Sequence, residues 1–97
     1  MKGMGDIMKK AQKMKEELDR VQKELASREV EASSGGGMVS VTVTGAREVT
    51  SIAIDPSVID PDEREMLQDL ILAAVNEAMR KSTEMMQEET SRIMGGL

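Results

Sequence analysis

The residues with the clearest chemical potential are lysines gathered near the start of the chain. Residues 1–15 contain five Lys and one Asp, a net charge of +4, whereas residues 16–97 contain 8 basic and 17 acidic residues, a net charge of −9. Ammonium groups concentrated on one segment of an acidic chain indicate a polyanion as the partner. The alternative is an ordinary solvated face, because paired helices usually carry mixed charges on their outer surfaces.

Other chemistries fit the sequence poorly. The chain has no His and no Cys, so no nucleophile–base pair is visible. The carboxylates between residues 55 and 69 lack the glycine and terminal Glu of a calcium loop, and helix capping accounts for several of them. The run Ser33–Gly37 lacks the Lys and following helix of a phosphate-binding loop and is more typical of a linker. We therefore predict no catalytic site, no metal, no cofactor and no small-molecule substrate.

Composition limits the size and the partners of the protein. The chain has 97 residues, which is enough for one domain over 1–97, and it has no Phe, Tyr or Trp. Its core must be built from small aliphatic residues and Met, so a monomer would be marginally stable, and no aromatic ring is available to stack on nucleic-acid bases. The absence of Cys fits a reducing compartment. No apolar run reaches membrane-spanning length, so we expect a cytoplasmic protein without a membrane partner.

A heptad pattern predicts a helix over residues 6–28. Its apolar positions are spaced 4, 3, 4, 3, 4 and need a partner helix to cover them; they are Ile7, Ala11, Met14, Leu18, Val21 and Leu25. Asp6 is the predicted N-cap, which would place Lys9 and Lys10 in or near the first turn. Positive charge is unfavourable at that end of the helix dipole, so we interpret the pair as a functional requirement.

Three strands are predicted to follow, over residues 29–34, 38–44 and 49–54. The second alternates Val with Ser or Thr, which is the period of a half-buried strand. Short connections between the three strands indicate an antiparallel meander.

A second helix is predicted over residues 61–94, because Asp60, Pro61 and Glu63 form a strong helix start. Such a helix is about 50 Å long and must project beyond a three-stranded sheet. The fold class is therefore α+β, with the order α-β-β-β-α and the two long helices forming a projecting antiparallel arm with the lysines at its tip. We expect a homodimer, whose predicted core residues are Val39, Val41, Val43, Ile52, Ile54, Leu67, Leu70, Ile71, Ala74 and Val75.

Three segments resemble the YbaB/EbfC family of bacterial nucleoid-associated proteins. They are GMGDIMKKAQKMKEEL at the start, EVEASSGGGMVSVTVTG with SIAIDPSVIDPDE in the middle, and MLQDLILAAVNEAMRKS in the second helix. The resemblance covers nearly the whole chain. It implies a tweezer-shaped homodimer, located at the nucleoid, whose protruding helices bind double-stranded DNA with little sequence preference and so affect nucleoid organisation and gene expression. It implies no cofactor.

The predicted DNA-binding residues combine the positions that match the family with three basic residues of the second helix. They are Lys2, Lys9, Lys10, Lys13, Arg80, Lys81 and Arg92. The negative charges of Glu84, Glu88 and Glu89 partly offset the positive charges of the basic residues in the second helix. The competing hypothesis is a dimeric helical adaptor that binds another protein and no DNA, which the acidic balance of the chain favours weakly.

Overall fold

The structure, a computed structural model, describes residues 2–95, apart from the side chain of Lys2. Its long elements are helix α1 (Lys2–Ser27), strands β1 (Glu29–Ser34), β2 (Val39–Thr44) and β3 (Val49–Ile54), and helix α2 (Arg64–Gly95). Short 3-10 turns occupy Gly35–Gly37, Pro56–Val58 and Pro61–Glu63. This order confirms the predicted helix–strand–strand–strand–helix fold.

The three strands form one antiparallel sheet in the order β1-β2-β3, as predicted. Val30 of β1 lies opposite Val43, and Val41 of β2 lies opposite Ile52 of β3. Because directly paired residues point to the same side of a sheet, the apolar positions collect on one face. The other face carries Ser and Thr and meets solvent, which is usual for an antiparallel sheet.

The core lies where α2 crosses β1 and β2. Val39, Val41 and Val43 are fully buried, and so are Ala74 and Ala78 of α2. Alanines at this contact allow the helix backbone to approach the sheet closely, which compensates for the lack of large core residues. Other predicted core residues pack against this cluster while partly exposed; they are Ile54, Leu67, Leu70, Ile71 and Val75.

Ile52 differs from the prediction of an inward, buried position. It lies on the apolar face of the sheet, opposite Val41, but its side chain is 48% exposed in the single chain. The reason is the placement of α2, which packs chiefly on β1 and β2. The apolar face of β3 is left largely uncovered.

The start of α1 also differs from the prediction. The helix begins at Lys2, so Asp6 lies inside it and is not its N-cap. Gly3 and Gly5 are helical as well, although each costs up to about 1 kcal/mol relative to Ala there. Lys9 and Lys10 therefore lie beyond the first turn. They do not oppose the helix dipole as predicted, because that effect is confined to the first turn.

The predicted flexible linker between β1 and β2 is a defined turn. Gly35, Gly36 and Gly37 all have positive φ, of 61°, 68° and 95°, a backbone region that glycine alone enters freely. The hydroxyl of Ser34 donates a hydrogen bond of 2.6 Å to the carbonyl oxygen of Leu70, which ties the turn to α2.

Before α2, Asp60 is an N-cap as predicted, but it caps the 3-10 turn Pro61–Glu63. Its carboxylate accepts a hydrogen bond from the Asp62 amide at 3.0 Å. The α-helix α2 itself begins at Arg64 rather than at the predicted residue 61.

Gly45 joins the base of α1 to the turn between β2 and β3. Its amide donates to the carbonyl oxygen of Arg28 at 3.0 Å, and a Cβ at this position would lie 1.9 Å from the carbonyl oxygen of Leu25. Only glycine fits this approach of two backbones. The contact sets where the arm leaves the sheet.

The two helices make the molecule long and narrow. Their lengths are about 39 Å and 48 Å, and the described structure measures 74 × 18 × 15 Å. Val21 and Leu25 are buried where α1 packs on α2, so the predicted projecting arm is confirmed. Among the described residues, no helix combines the length and the apolarity needed to cross a bilayer.

Candidate nucleic-acid interface

Within residues 2–95, helix α1 forms the outermost part of the arm. Near the end of α2, Ile93 lines a surface cleft together with Lys10, Lys13, Met14 and Glu17 of α1. The part of α1 before this cleft, residues 2–9, is about 12 Å long, and its side chains from Gly3 onward are exposed. The helix therefore presents both its faces to solvent at the tip.

Three of the predicted lysines lie at this tip with exposed side chains: Lys9, Lys10 and Lys13. Lys9 and Lys13 are four residues apart and share the side of α1 opposite the apolar seam, while Lys10 lies on the flank. None of the ion pairs found among the described residues includes a lysine. These ammonium groups are thus available to phosphate. The side chain of Lys2 lies outside the described part of the chain.

The predicted basic residues of α2 have partners within the chain. Arg80 binds Glu77 and Glu84, and Arg92 binds Glu89. The hydrogen bonds that Arg80 donates to the Glu77 carboxylate hold the pKa of Glu77 below its ordinary value, and the same contacts raise the pKa of Arg80.

Arg80 and Lys81 also lie far from the tip. The ammonium of Lys81 donates to the backbone carbonyl oxygen of Glu31 in β1 at 2.9 Å, which places it beside the sheet. Both residues are about 20 Å along α2 from its end at Gly95. The structure therefore places Lys9, Lys10 and Lys13 near the tip, and Arg80 and Lys81 beside the sheet. Arg92, which is paired with Glu89, directly precedes Ile93 of the cleft near the tip.

A second set of exposed apolar side chains belongs to β3 and to one side of α2. Leu72 is 60% exposed and Ile52 is 48% exposed. Val75 and Met79 continue the stripe of Leu72 at positions three and seven residues further on, which is one side of a helix. The β2–β3 turn faces this side, because Arg47 shares a cleft with Met79. We call this surface, formed by Ile52, Leu72, Val75 and Met79, the apolar groove.

Leu72 was not among the predicted apolar residues, although it lies three residues before Val75 and seven before Met79, which is a helical spacing. The predicted core residues of this helix were Leu67, Leu70, Ile71, Ala74 and Val75. The structure shows that the apolar side of α2 is wider than the strip that packs on the sheet.

Carboxylates in the described part of the chain do not form a metal centre. No group of three or more acidic side chains is placed there to hold a metal ion. The pKa of Asp55 is lowered by a local contact, because its carboxylate accepts a 2.8 Å hydrogen bond from the Ser57 amide.

Comparison with known proteins assigns the architecture to one family. A model of the YbaB/EbfC DNA-binding family matches residues 1–97. A nucleoid-associated protein of Acetivibrio thermocellus is 55% identical over 94 residues, covering 97% of this chain and 83% of that protein. Another from Alkaliphilus metalliredigens is 51% identical over 94 residues, covering 97% and 82%.

A solved structure supports the same fold. The crystal structure of an uncharacterized protein from Helicobacter pylori is similar with a TM-score of 0.67 and 27% sequence identity. The match covers 80% of this chain and 90% of that one.

Proposed function

We propose that this chain, which belongs to the YbaB/EbfC DNA-binding family, binds double-stranded DNA through lysines at the tips of its helical arms. The family is a DNA-binding family and not a family of enzymes. The observation that carries the proposal is the contrast between the two basic groups. Lys9, Lys10 and Lys13 project without ion pairs among the described residues, whereas Arg80 and Arg92 are bound to glutamates.

Binding of this kind is driven by counterion release. Each ammonium that reaches a phosphate displaces a condensed cation from the duplex. Phosphate contacts position a protein on DNA without reading its bases, and the chain has no aromatic side chain to insert or stack. We therefore expect little sequence preference.

The acidic remainder of the protein restricts where DNA can approach. The net charge of −9 on residues 16–97 repels the phosphate backbone. Contact is then confined to the arm tips. The proposed location is the nucleoid, consistent with the nucleoid-associated relatives.

The proposed active unit is a homodimer. Ile52 and Leu72 of the apolar groove are exposed in a single chain, and exposed apolar patches mark interaction sites. A second copy would cover the groove and complete a core that is poor in large residues. Two arms would then present two sets of lysines to one duplex.

A salt titration of DNA binding tests the proposal. If each of two subunits places three lysines at phosphates, about six cations are released, and the log–log slope of affinity against salt is about −5. We expect this slope to be the same for duplexes of different sequence. A parent protein that fails to bind duplex DNA at about 50 mM salt, where such contacts are strong, would favour the adaptor hypothesis.

A further inference from the structure

Two serine hydroxyls bind α2 to the sheet, one near each end of the contact. Near the start of the helix, the hydroxyl of Ser34 in β1 donates to the carbonyl oxygen of Leu70 at 2.6 Å. About 18 Å further along α2, the hydroxyl of Ser82 donates to the carbonyl oxygen of Thr44 at 2.8 Å. The second bond lies where the helix leaves the sheet, because Ser82 is the last buried residue of α2 within the described chain.

Packing alone does not explain a serine at this position. Ala74 and Ala78 lie eight and four residues before Ser82, so the three residues share one line along the helix, and all three are fully buried. Alanine would continue this line of small residues and has the higher helix propensity. The hydroxyl therefore supplies something that packing does not, which is a directional bond between α2 and the end of β2.

The β2–β3 turn binds both helices of the arm through neighbouring residues. Thr44 accepts the hydrogen bond from Ser82 of α2, and the amide of Gly45 donates to the carbonyl oxygen of Arg28, just after α1, at 3.0 Å. Within the turn, the Arg47 amide donates to the same Thr44 oxygen at 2.9 Å. The turn is thus one joint from which both helices leave the sheet.

We propose that Ser82 is a positioning residue that sets the direction of the arm and, in the proposed dimer, the spacing of the two groups of tip lysines. The inference rests on the proposed function, because tip spacing matters only if both tips bind one duplex. Gly95 lies about 20 Å along α2 from Ser82. A tilt of about 10° at the joint would move Gly95 by about 3–4 Å, which is enough to break an ammonium–phosphate contact of about 2.7–2.9 Å.

Lys81, the residue before Ser82, makes another contact at the same level of the sheet. Its ammonium donates to the carbonyl oxygen of Glu31 at 2.9 Å. The side chain of Lys81 is exposed and consists of a flexible four-carbon stem, so the helix can tilt while this bond is kept. The hydroxyl of Ser82 is buried and is placed by a single side-chain torsion, so it fixes the direction of α2 more closely.

Two tips bind a duplex more tightly than one only when both can reach it. The second tip then binds at an effective concentration set by geometry, and the gain in affinity is lost when the geometry forbids simultaneous contact. With three lysines per tip, binding through both tips releases about six cations and binding through one tip about three. The log–log salt slopes are then about −5 and about −3, so the slope reports how many tips are bound.

The test compares Ser82→Ala with Ser34→Ala as the matched control. Each variant removes one hydroxyl that binds α2 to the sheet, but only the first hydroxyl lies where the arm begins. Ser82→Ala leaves the Thr44 oxygen with its bond from the Arg47 amide, so no buried acceptor is left unsatisfied and the variant should fold. Circular dichroism and urea unfolding measure the fold and the stability of both variants.

The direction of the arm is measured without DNA. The chain has no Cys, so Gln12→Cys and Ser51→Cys place spin labels at exposed positions on the arm and on β3. Labelled chains are diluted with unlabelled protein, so that each measured distance lies within one chain. We expect one narrow distance distribution for the parent and for Ser34→Ala, and a broader or displaced distribution for Ser82→Ala.

On duplex DNA, Ser82→Ala should lose on the order of tenfold in affinity, and its salt slope should flatten from about −5 to about −3. Ser34→Ala should keep both values of the parent. Unchanged distances and an unchanged slope in folded Ser82→Ala, or equal changes in Ser34→Ala, would overturn the positioning role and leave the DNA function intact. A parent that fails to bind at about 50 mM salt would overturn the proposed function, and the spin-label distances would still decide whether Ser82 sets the direction of the arm.

Discussion

At the scale of the residue, the decisive distinction is between basic side chains that are paired and those that are not. Sequence alone placed Lys9, Lys10, Arg80 and Arg92 in one candidate site, because net charge and helical spacing do not reveal ion pairs. In the structure, Arg80 and Arg92 each form an ion pair with a glutamate three or four residues away. Such exposed pairs contribute little to stability, but the glutamate partners offset the positive charge that would otherwise attract DNA phosphates.

The pair between Glu77 and Arg80 predicts a pH dependence of stability. The pKa of Glu77 is lowered in the folded chain, chiefly by the hydrogen bond from Arg80. The stabilisation is therefore complete above the ordinary glutamate value of roughly 4.3 and is lost as the pH falls through the lowered folded value. We expect Glu77→Gln to be slightly less stable than the parent at pH 7 in urea unfolding. The difference in the free energy of unfolding between the two proteins should disappear in acid. A difference that stays constant from neutral pH into acid would contradict the stabilising role of the Glu77–Arg80 pair.

At the scale of the element, the sequence predicted nearly everything that local periodicity controls. The strand order, the antiparallel meander and the two long helices follow from periods of 2 and 3.6 together with Asp60 and Pro61 as helix-start signals. The start of α1 could not be predicted, because glycine is unfavourable inside a helix and yet Gly3 and Gly5 lie inside α1. The exposure of Ile52 was also missed, since a strand pattern gives the face of a residue but not which strands the helix will cover.

Substitution of a crowded glycine, Gly45, and of an uncrowded one, Gly5, should change stability in opposite directions. Gly45→Ala places a Cβ against the carbonyl oxygen of Leu25, so the base of α1 must move, and overpacking of this kind costs about 1–3 kcal/mol. Gly5→Ala meets nothing within 4 Å and lies in a helix, so it should stabilise by about 0.5–1 kcal/mol. Thermal unfolding of both variants checks the pair. A Gly45→Ala variant as stable as the parent would show that the junction between α1 and the sheet is misplaced.

At the scale of the whole molecule, one chain is an incomplete structure. Its 74 Å length and the exposed apolar groove follow from an arm that projects from a small sheet. The sequence indicated the need for a dimer through its lack of large core residues, but the groove itself could be located only after the position of α2 on the sheet was known.

Leu72→Glu is the variant that tests the proposed dimer. Leu72 is 60% exposed in the single chain, so a charge there should be tolerated by a monomer and rejected by an apolar interface. We expect sedimentation equilibrium to give a dimer for the parent and a shift toward the 10.6 kDa monomer for the variant. Asp69→Asn, an exposed change on the same helix, is the control and should stay dimeric. If the Leu72→Glu variant keeps the mass of a dimer, the dimer interface does not include Leu72.

The claim that DNA binds at the arm tips is tested most directly by the salt dependence of a triple variant, Lys9→Ala, Lys10→Ala and Lys13→Ala. The matched control removes the same charge elsewhere, through Lys23→Ala, Arg28→Ala and Arg64→Ala, all exposed positions outside the ion pairs of the described residues. Because the tip lysines supply the phosphate contacts, the tip variant should lose affinity for every duplex alike, and its log–log salt slope should flatten from about −5 toward zero. The control should keep most of the parent's slope. A folded tip variant with the parent's affinity and slope, beside a control that loses both, would contradict the account.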